Sequence, residues 1–123
     1  MKNKEYVYTH PNTVWETIKN QLEIDIIKNV YKVGERVPST NDLARQYNVS
    51  VNTAGKALDY LKDEEIIMKK RGIGFFVLPY AKSKIINLMR KDFEGQLYEI
   101  LNLAKILEYD KDEIISTISD IWN

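Results

Sequence analysis

Apolar residues recur at helical spacing through most of the chain, and the breaks in that rhythm divide it into elements. Trp15, Ile18, Leu22 and Ile26 form one stripe, with Ile27 and Val30 beside it, which predicts a helix over about 13–29. Pro11 and Asn12 or Thr13 mark its start, and Asn29 its end, because asparagine tolerates the left-handed conformation that closes helices. Tyr31–Val37 reads as a loop turning on Gly34. Leu43, Ala44 and Tyr47 share one face of a short helix at about 40–47. Ala54, Ala57, Leu58 and Leu61 share one face of another at about 51–63. Glu65–Lys70 and Phe75–Leu78 then read as strands, joined by Arg71-Gly72-Ile73-Gly74. Two glycines in a four-residue connection suit a hairpin whose turn needs positive φ. Pro79 closes the second strand. Beyond it, Ile85, Leu88 or Met89, Phe93, Leu97, Ile100 or Leu101, Ala104 and Leu107 predict a long helix from Ala81. Within it, Gly95 marks a kink or a close approach of another backbone. A last helix runs from Asp110 or Lys111 to Trp122 on Ile114, Ile115, Ile118, Ile121 and Trp122. The expected fold class is mainly α with one small β-hairpin.

Val37–Leu61 is the stretch around which the rest is organised. Ser39 caps the first short helix, and Asp42 three residues on completes a capping box. Asn48 closes that helix, Val49 tucks in as an apolar plug, and Ser50 caps the next. Val51, Asn52, Gly55, Lys56 and Asp59 lie away from the apolar face of the second helix. A capped short helix, a turn of about four residues and a helix with small polar residues at its start form a helix-turn-helix pattern. Such a motif lays the start of its second helix in the DNA major groove, where base edges present distinct donor and acceptor patterns. Asn52 is the best base reader, since a carboxamide pairs two-pronged with adenine. Lys56, one turn on, reaches guanine or a phosphate. Ser50 and Thr53, with the helix amides, suit phosphate oxygens, as do Ser39 and Thr40 at the other helix start. Asn41 suits a phosphate contact or a plain exposed position. At the hairpin, Lys69-Lys70-Arg71 is the one run of three cations. Lys70, Arg71 and Gly72 suit entry into the minor groove or a grip on the backbone; the same charges would also keep an edge strand soluble.

Composition narrows the picture without directing it. The 123 residues are 44% hydrophobic and carry zero net charge, so one small core fits and no global basic field advertises nucleic acid. Residues 1–79 hold 12 Lys and Arg against 10 Asp and Glu, and residues 80–123 hold 6 against 8. A DNA reader of this composition must concentrate its positive charge locally. There is no cysteine, hence neither a disulfide framework nor a thiolate metal site. His10 is the single histidine and has no histidine partner for a metal site or a relay. Asp110, Asp112 and Glu113 look like a helix start gaining from its dipole, and lack the spacing of a calcium loop. No cofactor and no enzymatic activity are expected. The first fifteen residues contain no apolar core of signal-peptide length, and no run approaches the roughly 20 apolar residues that span a bilayer. A cytoplasmic protein without membrane contact is the expectation.

The run from Trp15 to Pro79 resembles the N-terminal winged helix-turn-helix domain of GntR-family bacterial transcription regulators. The residues that carry the resemblance are Gly34-Glu35-Arg36-Val37-Pro38-Ser39, Leu43-Ala44, Val49-Ser50, Asn52-Thr53, Ala57-Leu58, Leu61 and Arg71-Gly72-Ile73-Gly74-Phe75-Phe76-Val77. The short tail resembles the YtrA-like branch, whose members carry only a small helical C-terminal part. The resemblance implies an N-terminal arm over 1–11, a winged helix-turn-helix DNA-binding domain over 12–79 and a helical dimerisation region over 80–123. It also implies a homodimeric repressor on an inverted-repeat operator in double-stranded DNA, released by an unidentified small-molecule effector. Met89, Phe93, Leu97, Tyr98, Leu101 and Trp122 are the expected dimer interface; the other arrangement open to these side chains is packing against the chain's own first helix. Where the family often carries arginine, this chain has Asn41, Val51 and Gly55. Val51 therefore suits a thymine methyl rather than a guanine, and a shallower salt dependence is expected. Those missing arginines also motivate the alternative function, a winged-helix adaptor for protein partners that no longer reads DNA.

Overall fold

The computed structural model describes residues 13–122; the arm expected over 1–11, with His10 in it, lies outside the described residues. Helix α1 spans Val14–Ile27. Thr13 caps it: its hydroxyl oxygen accepts from the Glu16 N–H at 3.4 Å, and its hydroxyl donates to the Glu16 carboxylate at 2.8 Å. Ile18, Leu22 and Ile26 are buried along one face, as the stripe requires. The helix stops where Asn29 turns left-handed (φ 64°), and the Val30 N–H then reaches back to the Asp25 carbonyl at 2.8 Å.

Helices α2 (Thr40–Tyr47) and α3 (Val51–Asp63) follow. Both halves of the α2 capping box are made, Asp42 N–H to Ser39 Oγ at 3.0 Å and Ser39 N–H to Asp42 Oδ2 at 3.2 Å. Asn48 closes α2 at φ 55°. Helix α3 is the centre of the fold and packs against α1, α2 and the first strand of the hairpin. Ala54, Ala57, Leu58 and Leu61 on its inner face are all fully buried. Each buried leucine contributes about 1.5–3 kcal/mol, while the two alanines let neighbouring helices come close.

The hairpin pairs β1 (Ile67–Lys70) with β2 (Gly74–Val77), antiparallel, in the register Ile67↔Val77, Met68↔Phe76, Lys69↔Phe75 and Lys70↔Gly74. Both strands begin or end inside the expected ranges, for identifiable reasons. Glu65 sits at φ 59° as the left-handed end of α3, so pairing in β1 begins only at Ile67. Leu78 leaves the ladder but still donates to the Ile66 carbonyl at 3.0 Å. On its other edge β2 gains a partner from the segment read as a plain loop. Arg36 bridges Phe76, with Val37 N–H to Phe75 O at 3.0 Å, Val77 N–H to Glu35 O at 3.0 Å and Gly34 N–H to Val77 O at 2.8 Å. Ile67, Phe75 and Val77 face inward with Val37 and Ile66.

Helix α4 runs unbroken from Ala81 to Ile106, and α5 from Lys111 to Trp122. Among the described residues, a Cβ added at Gly95 would meet nothing within 4 Å, so no close approach of another backbone accounts for this glycine. The first compact unit runs on past the boundary expected after residue 79, to Ile86, because Ala81 and Ile85 are fully buried. The second unit holds the rest of α4, a turn with Glu108 at φ 65°, and α5. Asp110 and Glu113 cap α5 reciprocally, at 2.9 and 2.8 Å. Among the described residues no helix is long and apolar enough to cross a membrane.

Candidate nucleic-acid interface

The first turn of α3 is built to be stiff and open. Ser50 Oγ accepts from the Thr53 N–H at 3.1 Å and donates to Thr53 Oγ1 at 2.9 Å. The first intrahelical bond is Ala54 N–H to Ser50 O at 3.1 Å. The N–H groups of Val51 and Asn52 precede it and have no helical acceptor, so they are available to an anion. Val51 is 52% exposed, and Asn52 and Lys56 are exposed too, while the opposite face of the helix is sealed in the core. Lys56 carries its ammonium 5.8 Å over the ring of Trp15, which lies 5.9 Å from the Tyr60 ring.

Helix α2 lies alongside. A Cβ at Gly55 would stand 3.8 Å from the Thr40 methyl, an ordinary contact, so the start of α2 borders the second turn of α3. The two helix starts differ electrostatically. At α2, hydrogen bonds from the Ser39 backbone and side chain, with Arg45 and Arg36 nearby, hold the Asp42 carboxyl below the usual carboxylate range. A charged Asp42 thus occupies the end of α2 and discourages a phosphate there, and Ser39 is engaged as a cap. At α3 no acidic side chain stands in the first turn. Of the two, α3 is the start that attracts an anion. Thr40 is half-buried and Asn41 exposed beside it.

Strand alternation redistributes the wing's cations. Lys69 shares a face with Phe75 and stands 5.8 Å from that ring. Lys70 points to the opposite face and places its ammonium 4.5 Å over Phe76. Lys69-Lys70-Arg71 is therefore not one patch. Arg71 and Gly72 form the exposed tip, where Gly72 takes φ 75° in a turn closed by Ile73 N–H to Lys70 O at 2.9 Å.

Of the expected site residues, the structure brings Ser50, Val51, Asn52, Thr53 and Lys56 into the first two turns of α3 and their cap, with Thr40 bordering the second turn at Gly55, while Ser39 and Asn41 belong to the start of α2. Lys70, Arg71 and Gly72 belong to the hairpin. Two side chains join the site that the sequence analysis does not assign to it: Trp15, a stripe residue there, lies under Lys56, and Arg45 pairs with Asp42 at 2.8 Å. The Trp15–Lys56 contact has no signature in local spacing, whereas Asp42 and Arg45 stand three apart on one helix, a spacing at which opposite charges meet. In the tail, Met89 and Leu101 are half-buried, while Phe93, Leu97, Tyr98 and Trp122 are exposed, Trp122 by 85%. Ile100, Leu103, Ile106, Leu107 and Ile121 are exposed as well.

Comparison with known proteins gives this geometry a context. Residues 15–77 match the gntR family of bacterial regulatory proteins. The transcriptional repressor YtrA of Bacillus subtilis is 26% identical over 108 residues, 88% of this chain and 83% of its own length. Curated relatives at 36% identity are matched over only 28% of their own length. A GntR-family transcriptional regulator from Listeria monocytogenes shares the fold, with a TM-score of 0.72 at 23% identity over 93% of this chain and 99% of that one. BusR of S. agalactiae, solved in complex with its busAB-promoter DNA, superposes with a TM-score of 0.55 at 25% identity, over 89% of this chain and 58% of its own.

Proposed function

This chain belongs to the gntR family of bacterial regulatory proteins, and from that premise we propose that it is a sequence-specific, DNA-binding transcription regulator that works as a homodimer. The observation that carries the reading is the start of α3: an exposed surface of Val51, Asn52 and Lys56, backed by a fully buried apolar face. A helix so held can be pressed into a major groove without deforming. In this reading Asn52 reads adenine, Val51 meets a thymine methyl, and the amides of Val51 and Asn52, with Thr53, approach a phosphate. Lys70, Arg71 and Gly72 contact the flanking backbone or minor groove.

The tail supports pairing. Phe93, Leu97, Tyr98, Ile100, Ile106 and Trp122 lie exposed on two helices, more apolar surface than a solitary chain normally leaves in water. One reading helix offers little area, and two-fold pairing would place two of them on an inverted repeat. Occupying that operator would block transcription. An effector would release it by favouring a dimer with a different spacing of the reading heads.

Selection of bound sequences from a random duplex pool at moderate salt tests the proposal. An enriched inverted repeat supports a dimeric DNA reader, and its spacing measures the distance between the two α3 helices. Weak binding that salt erases, with no enriched sequence, sinks the reading in favour of a protein-interaction adaptor.

A further inference from the structure

Arg36 lies on the third edge of the wing, outside the run of cations that the sequence displays. Its bridge to Phe76 places its side chain on the same face of the sheet as Met68, Phe76 and Lys70, since directly paired residues project to one side. Gly74, the register partner of Lys70, presents no side chain on that face. A Cβ there would stand 2.7 Å from Arg36 Nε and 3.3 Å from Cζ, so the guanidinium lies across the glycine. The backbone at Gly74 has φ 147°, a region closed to other residues, so the gap under Arg36 is built into the chain path. Arg36 and Lys70 therefore flank a floor of bare backbone, next to the tip formed by Arg71 and Gly72.

Among the described residues, nothing engages the donors that Arg36 brings. The side chain is exposed, and among the described residues its guanidinium makes no hydrogen bond or ion pair. Asp42 feels its charge but is bonded to Arg45 at 2.8 Å. A guanidinium has five N–H donors in a planar fork that fits a phosphate. Arg36 touches Gly74 of the wing, the element that the proposed reading lays on the DNA backbone, and its charge reaches the first turn of α2, where Thr40 borders α3 at Gly55.

We propose that Arg36 is a DNA-phosphate contact, gripping one backbone phosphate over Gly74 together with Lys70. The inference rests on the regulator reading above and adds to it a cation where the family's frequent arginines are replaced by Asn41, Val51 and Gly55.

The test is the salt dependence of binding to a fluorescein-labelled duplex of arbitrary sequence, about 30 base pairs long, for the unaltered chain, Arg36→Gln and Arg36→Lys. Arg36→Gln removes the charge and keeps a polar head. Its slope of log affinity against log salt should be shallower by about 0.9 per engaged chain, so a fourfold rise in salt costs it about 3.5-fold less affinity. Arg36→Lys should keep the original slope, and both variants should keep the thermal unfolding midpoint. An unchanged slope in a folded Arg36→Gln overturns the inference, as does a slope loss that appears only with a lowered midpoint and is not restored by lysine. Arg36→Met, which keeps the stem that covers the sheet, takes the same measurement if the glutamine variant does not fold. If the unaltered chain shows no salt-dependent binding at all, the regulator reading falls and this inference with it.

Discussion

Asn52 and Ser50 stand two positions apart and do different work. Ser50 uses both its acceptor and its donor on Thr53, so its contribution is local order at the start of α3. Asn52 is exposed at the place where a groove would meet the helix. Asn52→Ala should therefore leave the fold intact and lower discrimination among bases at one position by about 1–3 kcal/mol. Competition between duplexes differing at single base pairs measures this; a uniform loss across all sequences would instead make Asn52 a backbone contact. Trp15 adds a second kind of residue effect. Its ring lies under Lys56, so it can guide an ammonium that the sequence alone would leave free to swing.

At the scale of elements, α1 carries an electrostatic burden. Glu23 is 3% exposed and meets Lys19 at 3.3 Å, and Lys19 also lies 4.9 Å over the Tyr60 ring. Burial raises the Glu23 carboxyl above its usual range, and Lys19 only partly opposes the rise. Between the ordinary glutamate value, about 4.3, and the raised one, the folded state holds more protons than the unfolded. Stability should fall as pH rises through that window and level off above it. Glu23→Gln should flatten the fall, as read from urea unfolding midpoints across the window; an unaltered pH profile would remove Glu23 as its source. Asp42 acts with the opposite sign. Its carboxyl is lowered, so its contribution is present above the usual aspartate value and is lost as pH drops through the lowered one. Most elements were legible in the sequence because their signals are local. The Ser39–Asp42 box, Asn29, Asn48 and the four buried residues of α3 all declare themselves within a few positions. What was not legible depends on residues far apart in the chain. The pairing of Arg36 with Phe76 joins positions forty apart, and the burial of Glu23 follows from neighbours on α3. Glu65 in a left-handed helix end, where glycine or asparagine is usual, gave no warning of a late strand start.

At the scale of the molecule, most of the exposed large apolar side chains among the described residues lie in the second unit, after Ile86. Phe93→Asp with Leu97→Asp should convert the proposed dimer to a monomer without loss of helix content. Sedimentation would report twice the chain mass for the unaltered protein and once for the variant. A dimer that survives both charges would move the interface off this face of α4. Under the proposed pairing, the bare apolar faces of α4 and α5 also bear on gene dosage. A regulator that must find a second copy before it can read an operator responds to its own abundance more than proportionally. In the dilute limit, halving the number of chains cuts the number of pairs about fourfold by mass action. Cell growth alone could then open such an operator, with the exposed side chains of the tail setting the copy number at which it happens.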